Sequence, residues 1–303
     1  MEADFVEWLR GRVGVRPELP LALGDDASLY LDRANERLVM TTDLLCEGSH
    51  FLLEETSYAL VGRKAMAVNL SDMAAMASRP RVALVSVAWP RRRDERYARE
   101  LYDGLLDLAN AYGVTLAGGD TNRWDGGLVV NVTLLGHAHP RGVLRRDGAQ
   151  PGDRILVTGS LGGSLLGHHL RFEPRVELAA ELKLAYDLRS GMDISDGLSL
   201  DLSRLVTASG VAAELDLAQV PISEAARTMS RTSGRAPLDH ALADGEDFEL
   251  LLTAPPEDAA RIVGERHQGI PVTDIGVITE GAGVWQREAD GSRRPLPVKG
   301  YLH

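Results

Sequence analysis

Apolar positions recur along this chain in two rhythms, and the rhythms separate helices from strands. Tyr97, Leu101, Leu105, Leu108, Ala109 and Tyr112 form a helical stripe. Residues 57–77 predict a longer helix, rich in Ala, Leu and Met, which are good helix formers. Near the start, DFVEWLRGR predicts a short helix ended at about Gly11 and Gly14. Short apolar runs predict strands at RLVMTTD (37–43), VALVSVAW (82–89), VTLAGGD (114–120, ending in a turn) and GLVVNVTLLGHA (127–138). The segment HPRGVLRRDGAQPGD (139–153) is rich in Gly, Pro and Arg and is the expected domain boundary, giving domains 1–138 and 139–303. Beyond it, RILVTGS (154–160), DFELLLTA (247–254) and PVTDIGVI (271–278) read as strands. Helices are expected around 162–170, 175–188, 197–209 and 256–267. Strands and helices mix in both halves, which fits α/β or α+β; adjacent strands in the first half favour α+β.

One residue breaks the pattern. The predicted long helix contains AVNLSDMAAMAS (67–78), apolar and small on both sides of Asp72. A carboxylate buried there is costly unless it is hydrogen-bonded, paired or bound to a metal.

Composition narrows the function classes. The chain has 303 residues, 44% hydrophobic and 25% charged, which is ordinary for a soluble protein of two domains. The formal net charge of −11 and 5% aromatic content argue against a nucleic-acid or anionic-lipid surface. The single cysteine, Cys46, leaves no intrachain disulfide and no cysteine-based zinc site, and fits a cytoplasmic setting. The N-terminus reads as acidic and amphipathic rather than as a signal peptide. No apolar run is long enough to span a bilayer.

Familiar nucleotide motifs are missing: there is no G-x-x-x-x-G-K-[ST] and no G-x-G-x-x-G after the first strand. GSLGGS (159–164) is a weak candidate phosphate turn between a strand and a helix. What recurs is an acidic layout. GDDAS (24–28), TTDLLCEGSH (41–50), NLSDMAAM (69–76), GGDTN (118–122), DISDG (193–197) and DGEDFEL (244–250) each set Asp or Glu beside Gly, Ser, Thr or Asn. Any one alone reads as a turn or cap. Six together suit hard divalent cations, which take oxygen ligands and bridge to phosphate. An EF-hand is a poor fit, since Leu198 and Arg204 stand at its glycine and glutamate positions. Among basic residues, Arg146 is a candidate phosphate contact.

GDDA, TTDLLCEGSHF, KAMAVNLSDMAAM, GGDTN, DISDGLSLDL and GEDFEL occur in the order seen in thiamine-monophosphate kinases, and from about residue 20 to Tyr301 the chain resembles that family. The resemblance implies the fold shared with aminoimidazole ribonucleotide synthetase: an N-terminal sheet domain that dimerises and a C-terminal α/β domain. It implies ATP as co-substrate, several magnesium ions, a homodimer, and phosphorylation of thiamine monophosphate to thiamine diphosphate. Carried over by motif, Asp26, Thr41, Thr42, Asp43, Asp72, Asp120, Asp193 and Asp196 resemble the metal ligands. Gly119, Asp120, Arg146 and Ser195 resemble the ATP contacts, and His50 and Glu246 the substrate contacts. The family often carries an aromatic residue just before the C-terminal K-G; here Val298 precedes Lys299, with Tyr301 close by.

Two other readings stand beside this one. One is a different ATP-dependent enzyme of the same superfamily, of the purine-synthesis cyclase type; EGSHF and NLSDMAAM argue against it. The other is a non-catalytic protein that binds magnesium and nucleotide.

Overall fold

A computed structural model describes residues 25–31, 37–94, 96–288 and 290–301. The expected helix over DFVEWLRGR lies outside them. Among the described residues one unit draws on the chain up to Met73, on Ser78–Ala138 and on Leu170–Pro174. The other draws on Ala74–Ala77, His139–His169 and Arg175 onward.

The first unit is built on five strands: β1 (Ser28–Leu31), β2 (Arg37–Cys46), β3 (Arg79–Pro90), β4 (Thr115–Trp124) and β5 (Val129–His137), in the order β1-β2-β5-β3-β4. All neighbours are antiparallel except β3 and β4. Period-two alternation gives the sheet two different faces. Val39, Thr41 and Leu45 on β2, Val85, Val87 and Trp89 on β3, and Val130, Val132 and Leu134 on β5 are buried. The opposite face leaves Leu44 and Leu84 exposed. Two helices belong to the buried face, α1 (Tyr58–Ala75) and α2 (Arg96–Ala111). Tyr58 of α1 stacks on Tyr97 of α2 at 4.6 Å and lies 5.6 Å from the Trp89 ring of β3. Gly62 and Gly104 let the helices approach: a Cβ at Gly62 would sit 1.9 Å from the Leu101 carbonyl, and one at Gly104 2.0 Å from that of Ala59.

One predicted strand runs on past its expected end, and one predicted turn is strand. TTD does not end its strand, because β2 continues to Cys46, paired residue by residue with β5. GGD does not turn either: β4 runs through Gly118, Gly119 and Asp120 in parallel with β3. Glycine permits this, since a Cβ at Gly119 would fall 1.8 Å from the Val85 carbonyl.

The second unit holds a seven-stranded sheet. Its strands are β6 (Arg154–Thr158), β7 (Ser190–Asp193), β8 (Ala212–Leu215), β9 (Leu250–Ala254), β10 (Val272–Thr279), β11 (Gly283–Arg287) and β12 (Arg293–Pro295), in the order β12-β11-β8-β10-β6-β9-β7. The four-residue α3 (His168–Arg171) straddles the division of the chain between the units, and the helices of the second are α4 (Val176–Ala185), α5 (Leu198–Ser209), α6 (Glu224–Ser233), α7 (Pro237–Ala243) and α8 (Pro256–Gly264). Leu198, Leu202 and Leu205 of α5 enter one core with Ile155, Val157, Leu251 and Ile275 of the sheet.

The helix expected at 162–170 is broken. Gly162, Gly163 and Gly167 have φ of 86°, 73° and 114°, leaving a 3-10 turn at Ser164–Leu166 and the four-residue α3. The strand expected from Asp247 starts only at Leu250, because Glu246 and Phe248 take φ of 54° and 51°. The short strands β1, β7, β8, β11 and β12 and the helices α6 and α7 were not foreseen.

Candidate metal and nucleotide site

The first unit answers the question posed by Asp72. From Lys64 to Ser78 every residue is buried except Asp72, which is partly exposed. The Thr41 hydroxyl, on the buried face of β2, donates to Asp72 Oδ2 and stands 3.3 Å from the Asp26 main-chain carbonyl. Carboxylate oxygens of Asp26 and Asp72 lie within 4.8 Å of each other. A cation placed between two carboxylates that close together is attracted to both. The available atoms are carboxylate, hydroxyl and carbonyl oxygens, the hard donors that magnesium takes, so these residues fit the ion the resemblance implies. Asp43 falls two residues along β2 from Thr41 and therefore on the same face.

Other nominated residues of this unit lie elsewhere. Thr42 stands on the opposite face, where its hydroxyl accepts from Asn131 Nδ2 at 3.0 Å and lies 3.0 Å from the Thr133 hydroxyl. Cross-strand register sets Asp43, Val132, Val85 and Gly119 in one row and Leu44, Asn131, Ser86 and Asp120 in the next. Asp120 therefore projects from the face opposite Asp43 and is exposed. His50 closes the turn after β2. Its Nδ1 accepts the Cys46 amide at 3.0 Å, which puts the proton of the neutral ring on Nε2. The wholly buried Lys64 donates to the His50 carbonyl at 2.8 Å, fixing that turn to α1.

In the second unit two motifs run side by side. The amide of Glu246 donates to the Ser195 carbonyl at 2.7 Å, that of Phe248 to Ile194 at 2.9 Å, and that of Ile194 to Glu249 at 2.8 Å. DISDG and GEDFEL thus form one surface, with Asp193 closing β7, Asp196 on the following turn and Glu246 beside Ser195. Asp201 holds the turn from within α5, where its Oδ2 accepts the amides of Asp196 at 2.9 Å and Gly197 at 3.1 Å. Arg204 bonds Asp196 and Asp201 together. Burial, then the Asp196 charge, push the Asp201 carboxyl up to about 7, against the pull of Arg204. Arg146 sits in a 3-10 turn whose carbonyl accepts the Ser209 hydroxyl of α5 at 2.7 Å. The C-terminal tail reaches the same turn: the Tyr301 amide donates to the Asp196 carbonyl at 2.9 Å, and the Ser199 hydroxyl to that of Lys299 at 2.6 Å.

The glycine turn GSLGGS is not an open phosphate cradle. The Gly162 amide donates to Asp247 Oδ1 at 2.8 Å and the Gly163 amide to Asp244 Oδ2 at 3.1 Å. Asp247 is 2% exposed and its Oδ2 meets no partner; burial pushes its carboxyl well up. Sequence reasoning gave Asp201, Arg204 and Asp247 no part in the site, although each lies in or beside a quoted motif. Of these only Asp201 left a readable trace, an acid in the first turn of a helix that follows a glycine.

The fold and these acidic segments define an AIR synthase related protein. The model of the AIR synthase related N-terminal domain matches residues 24–138, and that of the C-terminal domain residues 150–285. The thiamine-monophosphate kinase of Rhodopirellula baltica is 44% identical over 310 residues, covering 100% of this chain and 97% of that one. The thiamine-monophosphate kinase of Escherichia coli K12 is 36% identical over 95% of this chain and 93% of its own. Among solved structures, AaThiL complexed with AMPPCP and TMP is similar over 100% of this chain and 96% of that one, at 29% identity and a TM-score of 0.86. The chain belongs to the thiamine-monophosphate kinase family.

Proposed function

We propose that this chain transfers the γ-phosphoryl group of ATP to thiamine monophosphate, giving thiamine diphosphate and ADP. The observation that carries the reading is the Asp26, Thr41 and Asp72 oxygen set, in a chain 44% identical over its full length to a thiamine-monophosphate kinase. The nucleophile is a phosphate oxygen of thiamine monophosphate attacking the γ-phosphorus in line. With a second pKa of about 6, a phosphate monoester is largely ionised at neutral pH, so no protein base is needed. What the chain supplies is placement and charge. Magnesium, when bound, neutralises the polyphosphate and stabilises charge on the transferred group.

Asp26, Thr41, Asp43 and Asp72 of the first unit and Asp193 and Asp196 of the second hold magnesium. The hydroxyl network around Asp72 and the turn built on Asp201 support these roles. Thr42 and Asp120 join them on motif alone, since the sheet presents both on its other face. Gly119, Asp120, Arg146 and Ser195 contact ATP. His50 and Glu246 contact the thiamine phosphate, and Tyr301, 48% exposed and tied to Asp196, is the aromatic available for the thiamine ring. The chain acts as a homodimer through the open face of its first sheet, where Leu44 and Leu84 are 53% and 43% exposed. The setting is cytoplasmic, as the lone Cys46 suggests; among the described residues no helix is long and apolar enough to cross a membrane.

Following ADP release with and without thiamine monophosphate tests the reading. ADP formed only when thiamine monophosphate is present supports it. ADP formed without it points to another enzyme of the superfamily, and binding of ATP with no ADP at all to a non-catalytic protein.

A further inference from the structure

Adjoining the acidic segment DGEDFEL, whose first residue it shares, the second unit carries a second constellation. The C-terminal residue of α6, Ser233, is exposed, and its hydroxyl lies 2.7 Å from Nε2 of His240 on α7. His240 is 1% exposed, and its Nδ1 lies 2.7 Å from Asp244 Oδ2 and 3.0 Å from Oδ1. Asp244 is fixed in turn by Arg235 Nη1 at 2.9 Å and by the Gly163 amide at 3.1 Å. These bonds define one tautomer. Nδ1 donates to the carboxylate, so Nε2 is the acceptor and the serine hydroxyl its donor. A hydroxyl on a base, with the base oriented by a buried carboxylate, is the arrangement that activates a serine nucleophile, and it is recognised by geometry rather than by position in the chain.

Two further features belong with it. The Arg235 amide donates to Ser233 Oγ at 3.2 Å, which leaves the hydroxyl proton directed at His240. Gly234 follows the serine at φ 72°, and a Cβ there would meet nothing within 4 Å. The residue after a nucleophilic serine is where an amide donor to a developing oxyanion commonly stands, and space beside it admits the group attacked.

The geometry points to Ser233, His240 and Asp244 as a second reactive centre, an acyl-transfer site for small carboxylic esters. Ser233 Oγ attacks the ester carbonyl carbon while its proton passes to His240 Nε2. The carbon–oxygen bond of the ester then breaks, and the leaving alcohol takes that proton. Water, deprotonated by His240, attacks the acyl-serine, releases the carboxylic acid and restores the hydroxyl. Because Ser233 stands at the surface, the substrates are esters that reach an open serine rather than ones swallowed by a deep pocket.

The test is covalent labelling of the full chain with a fluorophosphonate probe, mapped by peptide mass spectrometry, alongside release of p-nitrophenol from p-nitrophenyl acetate. Ser233 is expected to take the label first, and Ser233→Ala to abolish both the label and the excess nitrophenol. His240→Gln should slow labelling of Ser233 by about 100-fold, the scale of a lost general base. His240 is buried, so Asp244→Asn, which keeps the shape but misdirects the imidazole, gives the same reading should the first variant not fold. Labelling spread evenly over surface serines, or a Ser233 rate unchanged in a folded His240→Gln or Asp244→Asn variant, would overturn the proposal and leave the three residues as a structural tie between α6 and α7.

Discussion

Thr41 donates its hydroxyl proton to Asp72 Oδ2, joining a strand residue of β2 to the one partly exposed carboxylate in the buried run of α1. The bond aims Asp72 at Asp26 and gives the first prediction. Asp72→Asn keeps the shape and a hydrogen-bonding oxygen but removes the charge that a cation needs. ADP formation is expected to fall by at least about 100-fold, as when a preorganised electrostatic group is lost. The thermal midpoint should stay within a few degrees of the parent, because the helix is held by its apolar residues. Turnover within a factor of a few of the parent would rule out the metal role.

A second prediction concerns backbone approach. Gly119→Ala puts a Cβ 1.8 Å from the Val85 carbonyl, so β3 and β4 must part. The expected loss is roughly 1–3 kcal/mol, the scale of overpacking. Urea unfolding followed by far-UV circular dichroism measures it. Gly113→Ala is the control for a glycine with open space around it, strained only by its φ of 66°.

How far the sequence could be read follows from which forces are local. Of the two helices of the first unit, α2 is legible from its long apolar stripe and α1 from its density of good helix formers. The acidic segments are legible as chemistry because six of one layout recur in a single chain. Their geometry is not. One strand was expected to stop at TTD and another to turn at GGD, because such residues favour turns, yet pairing with β5 and β3 carries both on extended. That same pairing puts Thr42 and Asp120 on the face away from Asp43, a fact of register that no single segment encodes. The Ser233, His240 and Asp244 set was invisible for the same reason: α6 and α7 are short, and only their packing brings the three together.

The third prediction tests the open face of the first sheet. Leu44 and Leu84 project from it, on strands separated only by β5. Leu84→Asp, and more strongly Leu44→Asp with Leu84→Asp, should shift sedimentation from dimer to monomer, raising the dissociation constant by about 100-fold. A parent chain that already sediments as a monomer at micromolar concentration would remove the dimer from the reading.

The fourth prediction is one of pH. Burial raises the carboxyl of Asp247, and the Gly162 amide, which favours the charged form, does not offset it. The folded chain therefore keeps this proton above the pH, near 4, at which the unfolded chain releases it. The sign follows. Stability from this group is fully present below about pH 4 and is lost as pH rises towards the folded value. Asp247→Asn can still accept from Gly162 and does not titrate. Relative to the parent it should gain about 1.4 kcal/mol per pH unit across that window. Chemical denaturation of both proteins from pH 5 to 8 measures the difference; parallel curves would show that Asp247 ionises freely in the fold.

The last prediction concerns Arg175 and Glu249. Arg175 Nε donates to Glu249 Oε2 at 2.8 Å and Nη2 bonds the other oxygen, with the Glu249 side chain 3% exposed. The Thr158 hydroxyl adds a bond to Oε2 at 2.6 Å and accepts the Leu250 amide at 2.8 Å. Through Thr158 of β6 the pair thus anchors the start of β9, four residues after Glu246. Arg175→Ala strands a buried carboxylate and should cost about 3–5 kcal/mol. Arg175→Lys should recover only part, since an ammonium cannot supply two parallel bonds to one carboxylate. Arg175→Met with Glu249→Gln removes both charges, keeps an acceptor for Thr158, and should return most of the loss. Urea unfolding of the full cycle separates the two origins of the effect. Recovery in the double variant means that the cost lay in the unpaired charge. A loss as large as in Arg175→Ala would mean that the ion pair itself stabilises the start of β9, and the Michaelis constant for thiamine monophosphate would then be expected to rise through displacement of Glu246.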